Sequence, residues 1–226
     1  MKIAVISASI GIDFEIPKAL YPTKADYYLF TDKLINPEES AWKIKKPVFK
    51  TTHVNFKNRR NAKVYKILPE YFIPNYDYYI WHDITHYLKE DPEITVLSNI
   101  KKSDFAVFRH RFRKDVITEA KFVKKIKYDE KNLLNSQIKE YKKQMNLEGY
   151  GLYELPSFIK KNTNISREFS LSRWEQICKY SSRDQISFPY ICSKMNIMPD
   201  VIKGAAFGKD SSKYFDQFYF SEHSRI

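Results

Sequence analysis

Apolar positions fall into two recurring patterns, short unbroken runs and rows at helical spacing, and the two patterns alternate. Ile3, Ala4, Val5 and Ile6 make residues 2–7 a strand buried on both faces, and Ala8, Ser9, Ile10 and Gly11 supply a small-residue turn after it. Residues 25–30 predict a second strand that delivers Thr31 and Asp32 to its carboxyl end. Across residues 58–69, Ala62, Tyr65 and Leu68 recur as the inner face of a helix, leaving Arg59 or Arg60, Lys63 and Lys66 along another face. Residues 77–81 form an aromatic strand running into His82, Asp83, Ile84 and Thr85, and residues 104–109 form another that leads to His110, Arg111 and Arg113.

Residues 115–145 read as helical, with Val116, Ala120, Val123 and Ile126 on one apolar face and Leu134, Ile138 and Tyr141 on another. Gly149 and Gly151 end that pattern, and residues 152–159 include a short strand whose Pro156 argues for an edge or a bend. The chain closes with segments 201–207 and 214–220. Strands alternating with helices, without repeat or linker, predict a single α/β domain over residues 1–226, with a mixed, mostly parallel sheet flanked by helices.

Composition narrows the function classes. A 43% hydrophobic chain with 16% aromatic residues can bury a core, so disorder is excluded. No apolar run approaches the roughly 20 residues of a membrane span, and the amino-terminal run is too short for a signal peptide, so a soluble, cytoplasmic chain is expected. Cys178 and Cys192 lie in apolar patterns without metal-ligand spacing, which predicts buried free thiols. A net charge of +12 suits an anionic partner: nucleotide phosphates, a nucleic acid or an acidic membrane surface.

Candidate chemistry concentrates in residues 181–188, where Arg183, Asp184 and Gln185 stand side by side between two apolar segments. Either they recognise something polar, or Ser182 caps a helix whose first turn favours Asp184. Asp32 is a ribose-binding carboxylate or a surface turn residue. Arg60, Lys63 and Lys66 are a diphosphate-binding row or a solvated basic face. Asp83 grips a divalent metal or caps a helix, with His82 beside it as a hydrogen-bonded histidine. His110, Arg111 and Arg113 meet phosphate or face water. Neither G-x-G-x-x-G nor a Walker A lysine is present.

The order Lys63-x-x-Lys66-Ile67-Leu68-Pro69, Tyr79-Ile80-Trp81-His82-Asp83, His110-x-x-Arg113 with Glu119-Ala120, Trp174-Glu175, and Ser182-Arg183-Asp184-Gln185-Ile186-Ser187-Phe188 resembles the glycosyltransferase-like family of plant mucilage and pollen proteins. The resemblance spans roughly residues 1–195, and Arg-Asp-Gln-x-Ser-Phe is its most specific part. Lys63 stands where that family more often has Arg, His82 where an aliphatic residue is frequent, and Arg111 where Pro is frequent.

The resemblance implies a GT-A type fold and sugar transfer from a nucleotide donor, such as a UDP-sugar, to a glycan or lipid-linked acceptor. It implies a divalent metal, Mn²⁺ or Mg²⁺, at Asp83; His223 is a further candidate ligand, because a tail folded over the donor could add an imidazole to the carboxylate. Donor contacts are expected from Ser7, Asp32, Arg60, Lys63, Lys66 and His110, and catalytic contacts from Arg183, Asp184 and Gln185. Asp184 would stabilise an oxocarbenium-like centre or take the acceptor proton. The basic surface would suit peripheral docking on an anionic membrane. Two alternatives stand beside this reading: a nucleic-acid-binding protein, suggested by the +12 charge and interleaved aromatics, and a nucleotide-sugar binding module without turnover, since position 85 is Thr and no Asp-x-Asp forms.

Overall fold

The amino-terminal apolar run becomes β1 (Ile3–Ser9), with every residue buried. It ends two residues later than predicted, because Ala8 and Ser9 continue the pairing with the next strand, opposite Phe30 and Thr31. The computed structural model describes residues 1–36, 40–144 and 149–218. After β1 come β2 (Asp26–Thr31), β3 (Trp42–Lys45), α1 (Lys57–Ile67), α2 (Pro69–Phe72), β4 (Tyr78–His82), β5 (His86–Leu88), α3 (Pro92–Asn99) and β6 (Phe105–Arg109). The second half holds α4 (Val116–Lys125), α5 (Lys131–Gln144), β7 (Tyr153–Lys161), α6 (Asn164–Lys179), α7 (Asp184–Met195), β8 (Asp200–Val201) and β9 (Phe215–Gln217).

Seven strands form one sheet in the order β3-β2-β1-β4-β7-β6-β8, and β5 pairs with β9 in a small second sheet. Within the large sheet β7 alone runs antiparallel to its neighbours, so the expected mixed, mostly parallel α/β sheet is observed. Strand order reverses beside β1: β2 and β3 step to one side and β4 to the other. In open α/β sheets, ligands bind at the carboxyl ends of the strands at such a point.

Side chains alternate between two cores, as strand geometry requires. Ala4, Ile6, Tyr79, Trp81, Phe105 and Val107 pack beneath the helical layer that contributes Val64, Phe169 and Phe188. Ile3, Val5, Ile80 and Ala106 pack on the other face with Val96 and Phe215.

The predicted long helix is two helices. Lys127 takes a left-handed φ of 54°, the Tyr128 N–H turns back to the Val123 carbonyl, and Asp115 caps α4 by accepting from the Ile117 and Thr118 N–H groups. Residues 152–159 hold an interior strand, not an edge: β7 runs to Lys161 between β4 and β6. Pro156 is tolerated because the β6–β7 register shifts between Ala106 and Phe108, so the ladder asks no donor of it there. Cys192 is buried as expected, but Cys178 is exposed on α6; both are free thiols.

One buried ion pair fastens α2 and α6 to the sheet. Lys160 on β7 donates to Glu70 Oε1 at 2.8 Å, to Oε2 at 2.7 Å and to Ser170 Oγ at 2.7 Å. Burial draws the Lys160 ammonium down to about 8, with Glu70 opposing the shift. Glu70→Gln leaves that ammonium without its countercharge and should cost about 3 kcal/mol in urea unfolding, while Glu70→Leu with Lys160→Met should cost clearly less. Equal losses in the two variants would refute a charge-pairing role.

Candidate active site

Helix α7 begins at Asp184, which puts a carboxylate at the positive end of the helix. Ser182 does not cap it. Its Oγ and N–H, together with Ser181 Oγ, instead donate to Asp129 Oδ2 at 2.6, 2.8 and 3.0 Å. That pinned turn directs Asp184 inward, where it is 3% exposed. Lys63 Nζ donates to Asp184 Oδ1 at 2.7 Å, and Lys66 Nζ lies 3.0 Å from Oδ2, off its hydrogen-bonding direction. Arg173 of α6 lies 3.8 Å from the same Oδ2. Burial acts to raise the Asp184 carboxyl, but Lys63, Lys66 and Arg173 together hold it well below the usual carboxylate range. Burial lowers Lys63 to about 8 against the pull of Asp184.

Lys66 also joins the two carboxylates. Its Nζ donates to Asp83 Oδ1 at 3.1 Å, and Trp81 Nε1 donates to the same oxygen at 2.8 Å. Asp83 follows β4 directly, and its N–H donates to the Pro156 carbonyl at 2.6 Å, so the β7 bulge fixes where this carboxylate stands. The Asp83 side chain is 44% exposed and that of Asp184 4%, which makes Asp83 the carboxylate within reach of a ligand.

A cavity of about 450 Å³ opens above these groups. Arg113 and Arg183 form one wall, and the fully buried Glu119 of α4 holds both: Arg113 Nε donates to Oε2, and Arg183 Nη2 to Oε1 at 3.2 Å. Arg183 also donates to Gln185 Oε1 and lies 4.8 Å from the Tyr128 ring centre, while Arg113 lies 4.0 Å from that of Phe122. His110 Nδ1 accepts the Phe112 and Arg113 N–H groups, both at 3.1 Å, and burial followed by the Arg113 charge lowers its pKa. Phe112, Phe122, Tyr128 and Phe207 supply ring surface. A second concavity of about 370 Å³ lies at the amino ends of β1 and β2, away from these groups.

Of the residues singled out from sequence, Lys63, Lys66, Asp83, His110, Arg183, Asp184 and Gln185 line this one cavity. Arg60 does not: it is buried, and its guanidinium donates to the Ile177 and Tyr180 carbonyls, capping the carboxyl end of α6. Ser7 is buried on the opposite sheet face, in the same alternation as Val5, and Asp32 accepts the Gly11 N–H through both oxygens at 3.0 Å. A φ of 69° at Gly11 makes that turn possible. His82 packs edge-on against Trp42 on that second face, and burial lowers it to about 4. His223 lies outside the described residues.

Sequence reasoning missed Glu119 as the anchor of the arginine wall and Arg173 as the third cation on Asp184. Arg173 had a signal: it interrupts the buried helical row Phe169–Arg173–Ile177, where an unpaired charge is not tolerated.

The expected divalent metal does not fit the described residues. No group of three His, Cys, Asp or Glu side chains converges among them. Asp83 shares its Oδ1 with an ammonium and an indole N–H, and Glu119 is committed to two arginines.

The sequence model of the TOD1/MUCI70, glycosyltransferase-like domain matches residues 32–214, most of the chain. The chain belongs to that family. It is 32% identical over 150 residues to the probable hexosyltransferase MUCI70 of Arabidopsis thaliana, covering 61% of this chain and 25% of that protein. The TOD1/MUCI70-like chain thus spans about a quarter of the length of the curated relative it matches. Among solved structures it resembles mouse xyloside xylosyltransferase 1, with a TM-score of 0.53 and 5% identity over 90% of this chain and 86% of that one. The WbbM bifunctional glycosyltransferase also gives 0.53, with 9% identity over 91% of this chain and 40% of that one. At these identities the likeness establishes the GT-A type fold.

Two buried histidines give this TOD1/MUCI70-like domain an acid-sensitive range. Burial lowers both His82 and His86 to about 4, below the ordinary 6.5. Between those values the unfolded chain binds the extra protons, so stability present above about pH 6.5 is lost as pH falls toward 4, on the order of 3 kcal/mol for each histidine. Asp184 adds its loss only below about pH 4. Urea midpoints should fall steadily from pH 6.5 to 4, and a flat profile would contradict the burial of neutral imidazoles.

Proposed function

We propose that the chain transfers a glycosyl group from a nucleotide-sugar donor to a hydroxyl of a glycan or lipid-linked acceptor. The observation that carries this is the convergence of Lys63, Lys66, Arg113 and Arg183 with the exposed Asp83 in one cavity. Cations in a partly enclosed site attract a diphosphate, and donors preorganised where charge develops lower the barrier to its departure. Ring surfaces at Phe112, Tyr128 and Phe207 suit stacking against sugars.

In the proposed step the bond from the anomeric carbon to the β-phosphate oxygen breaks, and its electron pair stays on the diphosphate. The acceptor oxygen bonds to the anomeric carbon, and its proton passes to Asp83. Of the two roles the motif suggested for Asp184, proton acceptance is not assigned to it. A carboxylate held ionised by three cations is a poor proton acceptor, so it positions Lys63 and Lys66.

The test is nucleoside diphosphate release from a panel of UDP- and GDP-sugars in the presence of oligosaccharide acceptors. Asp83→Asn should lower kcat by about 10²–10⁴-fold and change donor binding only a few-fold. An unchanged kcat would remove Asp83 from the proton-transfer role. Failure to turn over or bind any nucleotide sugar would refute the reading as a whole.

A further inference from the structure

A protein cation already occupies one oxygen of the Asp83 carboxylate, where a divalent ion would add a second positive charge. A metal would have to approach an Asp83 oxygen to about 2.0–2.6 Å. Lys66 Nζ already stands 3.1 Å from Oδ1 and is 3.0 Å from Asp184 on its other side. Only 3% of the Lys66 side chain is exposed, so it cannot swing into solvent and leave room. A dication would therefore meet an ammonium at close range. The described residues offer it no second carboxylate in exchange.

The opposite wall is built for an anion. Arg113 and Arg183 share the buried Glu119 and stack on Phe122 and Tyr128, so both guanidiniums are fixed before any ligand arrives. Each remains about one-fifth exposed, and Lys63 12%. Arg183 Nη2 donates to Glu119 and Gln185, while its Nε is buried without a hydrogen-bond acceptor among the described residues.

Building on the glycosyl-transfer reading, we infer that the donor diphosphate is bound by Lys63, Arg113 and Arg183 without a divalent ion, Lys66 holding the place beside Asp83 where that ion would sit. Arginine suits this task because its planar fork pairs two N–H groups with phosphate oxygens, and the aromatic rings beneath keep the fork in plane.

Calorimetric titration with UDP, GDP and inorganic pyrophosphate, in EDTA and separately in Mn²⁺ or Mg²⁺, tests it. At least one nucleoside diphosphate should bind in EDTA with a Kd within about threefold of its value with metal. Arg183→Met and Lys63→Met, each checked for an unchanged melting temperature, should weaken that binding about tenfold or more. If a variant fails to melt as the wild type does, chloride titration of the wild type substitutes, with affinity expected to fall steeply as salt rises. Binding that appears only with metal overturns this inference and leaves glycosyl transfer standing. Absence of binding in both arms removes the glycosyl-transfer reading and this inference with it.

Discussion

Everything at the cavity floor depends on a carboxylate taken out of water. Asp184 is almost fully buried at the start of α7, and desolvating a carboxylate costs several kcal/mol unless cations and hydrogen bonds compensate. Two helices supply that compensation: α1 brings Lys63 and Lys66 one turn apart, and α6 brings Arg173. Because Lys66 also reaches Asp83, the same ion network ties the helical layer to the carboxyl end of β4. Asp184 therefore both locks α1, α6 and α7 together and sets where the cavity's lysines stand.

The sheet makes a matching contribution. Inserting β7 antiparallel between β4 and β6 brings Pro156 beside Asp83, and a proline carbonyl at a register shift is free to accept the Asp83 N–H. The carboxylate thus stands on rigid backbone, as a site on strand ends should. Glu119 does for the arginine wall what Asp184 does for the lysines, one buried anion fixing two cations. Paired buried anions behind largely buried cations give the cavity a positive lining without leaving that charge uncompensated.

The strands were legible because their apolar runs are local: β1, β4 and β6 each begin within one residue of the expected start. The motif residues at 83 and 183–185 were also legible as a site. What they do was not, because a side chain's role here is set by partners distant in sequence. Arg60 and Lys63 are neighbours in one basic row, yet α6 carbonyls take the first and the cavity the second. Ser182 looked like a helix cap until Asp129, far upstream, claimed it. Pro156 argued for an edge or a bend from local chemistry alone, and the β6 register shows an irregularity at an interior position that tolerates it. Glu119 gave no local sign of its two arginines.

We place the donor's phosphates in the cavity above Asp83 and Asp184. A crystal structure of the protein with a bound nucleoside diphosphate tests it most directly. A β-phosphate should lie within hydrogen-bonding distance of Lys63 Nζ and the Arg183 guanidinium. A diphosphate lodged instead in the concavity at the amino ends of β1 and β2, beside Lys2 and Lys24, would contradict it.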